Sequence, residues 1–280
     1  MHTREHVRYD LALRRLAVFS IHDVVPGIRS ITLAGSDLND FVSDGPTDHA
    51  KVFFPDPATG QLNAPWIAED GGIQRPDSGV SISRDYTPLR YVPATPERPA
   101  SIDIEFVLHE NPGPATSWAL GAAVGDEVVV GGPRGSALAP TDSPEAILIA
   151  DETALPSLTR WLQLLPSQTG VSAILLTENE DFDPYLSNPL QPPTLHTRAS
   201  VERLYREDGP GQLLEAVRSI SIGQDTYVWA AGEANELIPV RRYLRRELGL
   251  AREQVDVQGY WKRGVVNLDH HAPLDETDPE

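Results

Sequence analysis

The stretch Ala146-Ile-Leu-Ile-Ala150 decides the fold of the C-terminal half of the chain. Five apolar residues in succession are typical of a parallel strand that is buried on both faces of a sheet. Strand-like and helical segments alternate after it, with helices predicted over residues 154–165, 211–219 and 236–248 and strands over 171–176, 226–231 and 254–258. This alternation predicts a doubly wound α/β domain over residues 141–267.

The half of the chain before Pro140 has a different pattern, in which short apolar runs are separated by clusters of proline, glycine and aspartate. Residues 51–54, 102–108 and 127–130 read as strands, and several such runs alternate apolar with polar residues. One helix is predicted over residues 114–120. Many short strands with frequent turns indicate an antiparallel β-barrel or sandwich over residues 1–140.

The composition of the 280 residues excludes several classes of protein. Acidic residues number 41 against 23 basic ones, and the net charge of −18 repels nucleic-acid backbones and anionic membrane surfaces. The chain has no cysteine, which excludes disulfides, thiolate metal sites and cysteine nucleophiles. No membrane-spanning run or secretory signal pattern is present, so we expect a cytoplasmic protein that binds neither nucleic acid nor membranes.

The tetrapeptide Arg84-Asp-Tyr-Thr87 in the β-rich half has the residue types that a flavin needs. On an extended strand, Arg84 and Tyr86 point to one side and Thr87 to the other. An arginine can neutralise a pyrophosphate, a tyrosine ring can pack on the isoalloxazine, and a threonine hydroxyl can bond its edge. Taken alone, such a tetrapeptide is more often an ordinary strand with a surface arginine.

A second segment, His109-Glu-Asn-Pro-Gly-Pro-Ala-Thr-Ser-Trp118, runs from a strand end through a turn into the start of a helix. A helix N-terminus offers unpaired N–H groups and the positive end of the helix dipole, and both favour an anion. Thr116 and Ser117 add hydroxyls there, so the segment and Arg84 could hold one pyrophosphate between them. The alternatives are a capped helix without a ligand and, for His109, a buried core histidine.

With these motifs, the chain resembles the siderophore-interacting protein family, FAD-dependent ferric-siderophore reductases of the ferredoxin-reductase-like superfamily. The resemblance covers about residues 24–264 and includes ordered blocks at 48–55, 84–90, 103–109, 113–119, 132–135, 151–156, 229–233 and 259–264. It implies a six-stranded antiparallel FAD-binding β-barrel over residues 1–140 and an NAD(P)H-binding α/β domain over 141–267. The acidic tail, residues 268–280, is expected to be disordered.

The resemblance also implies which residues hold the ligands. Gly232 and Glu233 would lie where the nicotinamide approaches, and the flavin itself would be the only catalytic group. We expect no metal site and interpret His270 and His271 as part of the polar tail. The residues implied for FAD are Arg84, Tyr86, Thr87, His109, Gly113, Ala115, Thr116, Ser117, Trp118 and Thr153.

Lysine is rare in this chain, and its only two examples are Lys51 and Lys262. The resemblance places both of them, with Arg134 and Arg263, around a pocket beside the flavin. Ferric siderophores are often anionic complexes of hard oxygen ligands, so local positive charge suits them. Each of the four residues alone is more often a solvated surface charge, but together they predict a siderophore site.

The activity that the resemblance implies is reduction of siderophore-bound Fe(III) to Fe(II) through FAD, with NADH or NADPH as the electron donor. The expected substrate is a ferric siderophore, ferredoxin is an alternative donor, and the protein is expected to be a monomer. Two alternatives stay open at this point. One is a general NAD(P)H:flavin or ferredoxin-type reductase, and the other is a non-catalytic protein that carries flavin or siderophore.

Overall fold

The computed structural model describes residues 4–110, 112–192, 199–268, 272–275 and 277–278, which fall into two compact units. The β unit contains His6–Leu138 and the short segment Asn188–Pro192. The α/β unit contains Arg4 and Glu5, Ala139–Ser187 and the described residues from 199 onward. The side chain of Asn188 holds the short segment to the β unit by donating to the carbonyl of Val24 over 2.5 Å.

The β unit consists of antiparallel strands with one short helix before the tenth strand. Along the chain its elements are β1 (His6–Arg8), β2 (Leu13–Val25), β3 (Ile28–Ala34), β4 (Ala50–Phe54), β5 (Trp66–Ile67), β6 (Ile73–Gln74), β7 (Ile82–Tyr86), β8 (Arg90–Val92), β9 (Ser101–Val107), α1 (Pro114–Gly121), β10 (Glu127–Gly131) and β11 (Gly135–Ala137). Seven strands form one sheet in the order β7-β4-β10-β2-β3-β9-β8. β1 pairs with β11, and β5 pairs with β6.

The antiparallel, barrel-like fold of this half is confirmed, but the expected number of six strands is wrong by one. The sheet has seven strands, and its end strand β8 is a three-residue strand that pairs with β9. Arg90 of β8 lies opposite Asp103 of β9, and its guanidinium is 2.6 Å from the Asp103 carboxylate. This ion pair holds a strand too short for its apolar pattern to predict.

One face of the main sheet forms the core of the β unit, as the alternation along its strands predicts. Val52 and Phe54 of β4 are buried there with Phe106 of β9. Helix α1 packs against the same cluster through Ala115 and Ala119. The start of α1 is thereby fixed beside the end of β7, which carries the candidate flavin motif.

The α/β unit has a parallel sheet of five strands in the order β14-β13-β12-β15-β16, which confirms the predicted fold class. Along the chain its elements are β12 (Glu145–Ala150), α2 (Leu155–Leu164), β13 (Gly170–Thr177), β14 (Ser200–Tyr205), α3 (Gln212–Ser219), β15 (Thr226–Glu233), α4 (Ala234–Arg242) and β16 (Val255–Trp261). The central strands β12 and β15 are almost entirely buried, which explains their continuous apolar sequence.

Two elements of this unit differ from the prediction. Strand β14 lies at an edge of the sheet and is half-exposed, so its sequence lacks the apolar run by which the other strands are recognised. The long helix predicted over residues 236–248 begins earlier, at Ala234, and is α-helical only to Arg242. It continues as a π-helical turn over Tyr243–Glu247, in which the Leu248 N–H donates to the Tyr243 carbonyl.

Two described residues of the acidic tail contact α4 and the turn that follows it. Asp275 accepts a hydrogen bond from Arg242, and Asp278 accepts one from Arg246. Bonds from Thr277 and Arg242 lower the pKa of Asp275, so this carboxylate is charged at neutral pH. Arginines near the end of α4 thus supply partners that composition alone does not reveal. His270 and His271 lie outside the described residues.

Within the described ranges, none of the helices is both long enough and apolar enough to cross a bilayer.

Candidate functional site

The flavin motif lies at the end of β7, where alternation turns Arg84 and Tyr86 toward the core side of the sheet. The Tyr86 ring packs among aromatic residues, with its centroid 4.6 Å from that of Phe106 and 6.2 Å from that of Phe54. Burial raises the pKa of Tyr86, so the phenol keeps its proton at all physiological pH values. Thr87 is buried directly after the strand.

Helix α1 reaches the same aromatic cluster through Trp118. The Trp118 ring lies 5.1 Å from Phe54 and 5.7 Å from Phe106 between centroids. Tyr86 of β7 and Trp118 of α1 therefore pack on the same two phenylalanines. The structure thus brings together the two segments that the sequence singles out, within one unit.

The N-terminus of α1 has the properties of an anion site. Gly113 caps it with an extended backbone, no acidic residue occupies the first turn, and a Cβ added at Gly113 would meet no atom within 4 Å. Ser117 is exposed and Thr116 is buried, with the Thr116 hydroxyl 3.5 Å from Nε2 of His109. His109 is itself exposed, which is incompatible with the alternative of a core histidine.

This set of groups fits FAD. Arg84 supplies a cation, the first turn of α1 supplies N–H groups without a competing carboxylate, and Tyr86 supplies an aromatic surface. The guanidinium of Arg84 is half-buried and donates to the Ser83 carbonyl over 2.7 Å, which limits its freedom. Open space in front of Gly113 allows a phosphate to approach the backbone.

In the α/β unit, Thr153 and Gly232 lie where β12 and β15 end, at the edge of a parallel sheet where ligands bind. Both contact Asp151, which directly follows β12. One Asp151 oxygen accepts from the backbone N–H of Thr153 over 2.9 Å and from its hydroxyl over 2.6 Å. The other accepts from the N–H of Glu233 over 2.9 Å and from the Trp261 indole over 2.7 Å.

Gly232 has a positive φ of 149° and lies against this same carboxylate. A Cβ at position 232 would come within 2.6 Å of Asp151, so only glycine fits without displacing Asp151. The Glu233 carboxylate is committed to local structure, since it accepts from the N–H groups of Glu236 and Arg263, each over 2.9 Å. Glu233 therefore positions α4 and the turn after β16.

A buried ionic cluster that the sequence does not predict lies beside Gly232. One Arg206 nitrogen lies 2.7 Å from both oxygens of Glu152, and another lies 3.3 Å from Asp151. The Arg206 guanidinium also faces the Trp261 ring at 5.8 Å. The available signal was the pair Asp151-Glu152, two carboxylates directly after a buried parallel strand. Arg206 had no signal, because it follows the unpredicted strand β14.

Burial makes Glu152 a proton-binding group near neutral pH. Desolvation, reinforced by the Asp151 carboxylate, raises its pKa to about 7, although Arg206 acts in the opposite direction. Folded Glu152 therefore keeps its proton to a higher pH than Glu152 in the unfolded chain. Between pH values of roughly 5 and 7 the folded protein binds a proton at Glu152 that the unfolded chain has lost. The free energy of unfolding therefore falls as the pH rises through this range.

We expect Glu152→Gln to remove this pH-dependent decrease in the free energy of unfolding. The raised pKa of Glu152 corresponds to a decrease on the order of 2 kcal/mol. The measurement is the melting temperature of both proteins by scanning calorimetry between pH 5 and pH 8 (about the range in which the group titrates). Glu178→Gln is the control, because Glu178 is 64% exposed and 3.9 Å from Arg206. If the melting temperature of Glu152→Gln depended on pH as that of the natural protein does, Glu152 would be ionised throughout this range.

A cavity of about 300 Å³ adjoins this cluster within the α/β unit. It lies beyond β13 and β14 and is bordered by the Gly209-Pro-Gly211 turn and by Gln212. The Gln212 side chain donates to the carbonyls of Tyr205 and Gly209, over 2.7 and 2.6 Å, and so fixes the turn. Its basic lining residues are Arg206 and Arg263.

The four basic residues assigned to the siderophore are divided between the units. In the β unit, Gly131 of β10 lies opposite Lys51 of β4, and Arg134 follows three residues later as an exposed side chain. The Lys51 ammonium is paired, 2.8 Å from the Asp85 carboxylate. In the α/β unit, Lys262 is half-buried and Arg263 is exposed, both directly after β16.

Comparison with known proteins places most of the chain in one family. The model of the siderophore-interacting FAD-binding domain matches residues 17–137, and that of the siderophore-interacting protein matches residues 143–264. The NADPH-dependent ferric-chelate reductase of Escherichia coli is 30% identical over 92% of this chain and 96% of its own. The ferric vibriobactin reductase of Vibrio cholerae is 29% identical over 88% of this chain and 89% of its own.

A solved structure gives the same result. The crystal structure of a siderophore utilization protein from T. fusca has 36% sequence identity and a TM-score of 0.82, and the match covers 96% of this chain and all of that one. These matches extend over both units and include the segments around Arg84, α1 and Gly232. The chain belongs to the siderophore-interacting protein family.

Proposed function

We propose that this protein is an FAD-dependent reductase of ferric siderophores that uses a nicotinamide as its electron donor. The observation that carries the proposal is that β7, which bears Arg84 and Tyr86, and α1, whose N-terminus has no side-chain cap, pack on one aromatic cluster. The first domain of the family is described as FAD-binding. Relatives over nearly the whole chain are named as ferric-chelate and ferric vibriobactin reductases.

The β unit would hold FAD with its own side chains and backbone. Arg84, the first-turn N–H groups of α1 and the Ser117 hydroxyl would bind the pyrophosphate. Tyr86 and Thr87 would contact the ring system, with His109 beside it. The chemistry that bound FAD would supply is acceptance of two electrons as a hydride and transfer of single electrons to iron. We assign no acid, base or nucleophile of the chain to the reaction.

The α/β unit would bind the electron donor at the carboxyl edge of its sheet. Gly232 has no side chain, so its backbone can lie close to a flat nicotinamide ring, while Asp151 and Glu233 fix its position. The E. coli relative is named as NADPH-dependent. We propose NADPH or NADH as the donor, with reduced ferredoxin as the alternative that the experiment below separates.

The substrate would be held through its outer ligand atoms, by charge and hydrogen bonds from basic side chains, rather than by ligation to iron. Lys51, Arg134, Lys262 and Arg263 would attract the ferric siderophore to the protein. One nicotinamide gives up a hydride, which carries two electrons, and these reduce two Fe(III) to two Fe(II). Fe(II) has a lower charge and binds hard oxygen ligands less tightly, so the siderophore releases it. We place the reaction in the cytoplasm and assign it to a monomer.

The test of the donor is an anaerobic mixing experiment on the purified protein loaded with FAD. NADPH, NADH and chemically reduced ferredoxin are added separately while the visible absorption of the flavin is recorded. We expect NADPH or NADH to bleach it fully at one equivalent. Bleaching by ferredoxin alone would contradict the nicotinamide assignment, and no bleaching by any of the three would contradict the reductase.

A further inference from the structure

The Lys51 ammonium lies between the two oxygens of one carboxylate. Its Nζ is 2.8 Å from each oxygen of Asp85, a charge-assisted pair at hydrogen-bond distance. The Asp85 side chain is 23% exposed and that of Lys51 is 41% exposed. The carboxylate is thus the more sheltered partner, and bulk water screens its field less than that of a surface residue.

The pairing follows from the register of the sheet. Lys51 of β4 and Asp85 of β7 lie directly opposite each other in an antiparallel pair, so both side chains point to the same face. Asp85 stands between Arg84 and Tyr86, and alternation directs it to the opposite face from these two. Asp85 can therefore act on Lys51 without taking part in the flavin contacts of its neighbours.

We propose that Asp85 sets the charge preference of the siderophore site, so that this protein favours neutral or weakly anionic ferric chelates over strongly anionic ones. The inference rests on the proposed function and specifies its substrate class. Three singly charged hydroxamates cancel the charge of Fe(III), whereas three doubly charged catecholates leave a complex with three negative charges. The favoured class is the tris-hydroxamate type of chelate.

The physical reason is that Asp85 cancels the cation that a polyanion would need. A lysine paired at 2.8 Å presents little net charge to a ligand, and the carboxylate repels an anion in proportion to its charge. The other cations assigned to the site, Arg134, Lys262 and Arg263, attract an anion whether or not Asp85 is charged, so the effect of Asp85 adds to theirs with the opposite sign. A neutral chelate has no net charge for the Asp85 carboxylate to repel, and it can still accept a hydrogen bond from the Lys51 ammonium.

The test uses gallium(III) complexes, which have the charge and shape of the ferric ones but are not reduced, so binding is measured apart from turnover. Titrations of the FAD-loaded protein with gallium tris-hydroxamate and gallium tris-catecholate are compared for the natural protein and Asp85→Asn, a change of charge at constant volume. We expect the natural protein to prefer the tris-hydroxamate. In Asp85→Asn we expect tris-catecholate affinity to rise roughly fivefold at low salt, less at high salt, with tris-hydroxamate affinity almost unchanged.

Two further variants separate local from general charge effects. Lys51→Met removes the cation. In the double variant Lys51→Met/Asp85→Asn, the loss of Asp85 should raise the affinity for gallium tris-catecholate by less than it does when Lys51 is present. Asp225→Asn removes the same single charge at an exposed position before β15, at the end of that strand opposite to Gly232, and should change neither affinity. FAD content, measured for each variant, shows whether the site itself is intact.

The outcomes distinguish this inference from the proposed function. Tris-catecholate preferred by the natural protein, or equal effects of Asp85→Asn on both chelates, would contradict the inference while leaving a siderophore site in place. Failure of every variant to bind either complex would contradict the siderophore function itself, and the inference with it.

Discussion

Replacing Gly232 by alanine is expected to destabilise the α/β unit by about 3 kcal/mol and to abolish reduction of the flavin by nicotinamide. An added Cβ would lie 2.6 Å from the Asp151 carboxylate, at a backbone φ of 149° that side chains rarely adopt. Asp151 would have to move, and its bonds to the Glu233 N–H and the Trp261 indole would break. The measurement is the melting temperature of the unit, followed by near-ultraviolet circular dichroism of its buried tryptophans.

Gly249 provides a matched control for this prediction. It also has a positive φ, 65°, but a Cβ there would meet no atom within 4 Å. Gly249→Ala therefore carries the backbone cost of a left-handed residue, about 1 kcal/mol, without the steric contact. Equal losses of stability in the two variants would contradict the account of Gly232, because the contact with Asp151 would then cost nothing.

Arg84→Ala is expected to lose FAD, with binding weakened by roughly 100-fold to 1000-fold, or about 3–4 kcal/mol. Arg84 is the cation of the flavin motif, and the α1 N-terminus that would share the pyrophosphate with it has no positively charged side chain in its first turn. The variant should fold, because Arg84 is half-buried and lies at the margin of the apolar core. The measurement is the ratio of flavin to protein after purification and the Kd for added FAD.

Two substitutions test whether this loss is specific. Arg84→Lys keeps the charge but not the planar fork of donors, so we expect an intermediate affinity. Arg75→Ala removes an exposed arginine of the same unit and should leave FAD content unchanged. Full flavin occupancy in Arg84→Ala would remove Arg84 from the cofactor site.

The sequence predicted those parts of the site that lie within one continuous segment. Arg84 and Tyr86 share a strand, and the start of α1 is recognisable from its glycine and prolines, because alternation and capping are local properties. That the two segments would meet was a prediction from spacing and resemblance. The structure gives the physical cause, since Tyr86 and Trp118 pack on the same two phenylalanines.

The parts that could not be predicted depend on partners distant in the chain. The sequence predicts Lys51 as one cation of the siderophore site, but it does not predict the partner Asp85, which is set by the register of β4 and β7. The pair of Arg206 and Glu152 joins residues 54 positions apart across the ends of two strands. The pair of Arg242 and Asp275 likewise joins α4 to a residue far along the chain.

The most direct test of the central claim is the oxidation of the reduced protein by its substrate. The FAD-loaded protein is reduced chemically without a nicotinamide, mixed anaerobically with a ferric tris-hydroxamate, and followed by flavin absorption and by a colorimetric Fe(II) chelator. We expect reoxidation of the flavin together with the appearance of two Fe(II) for each FAD. A flavin that stays reduced, or that reoxidises without producing Fe(II), would contradict it.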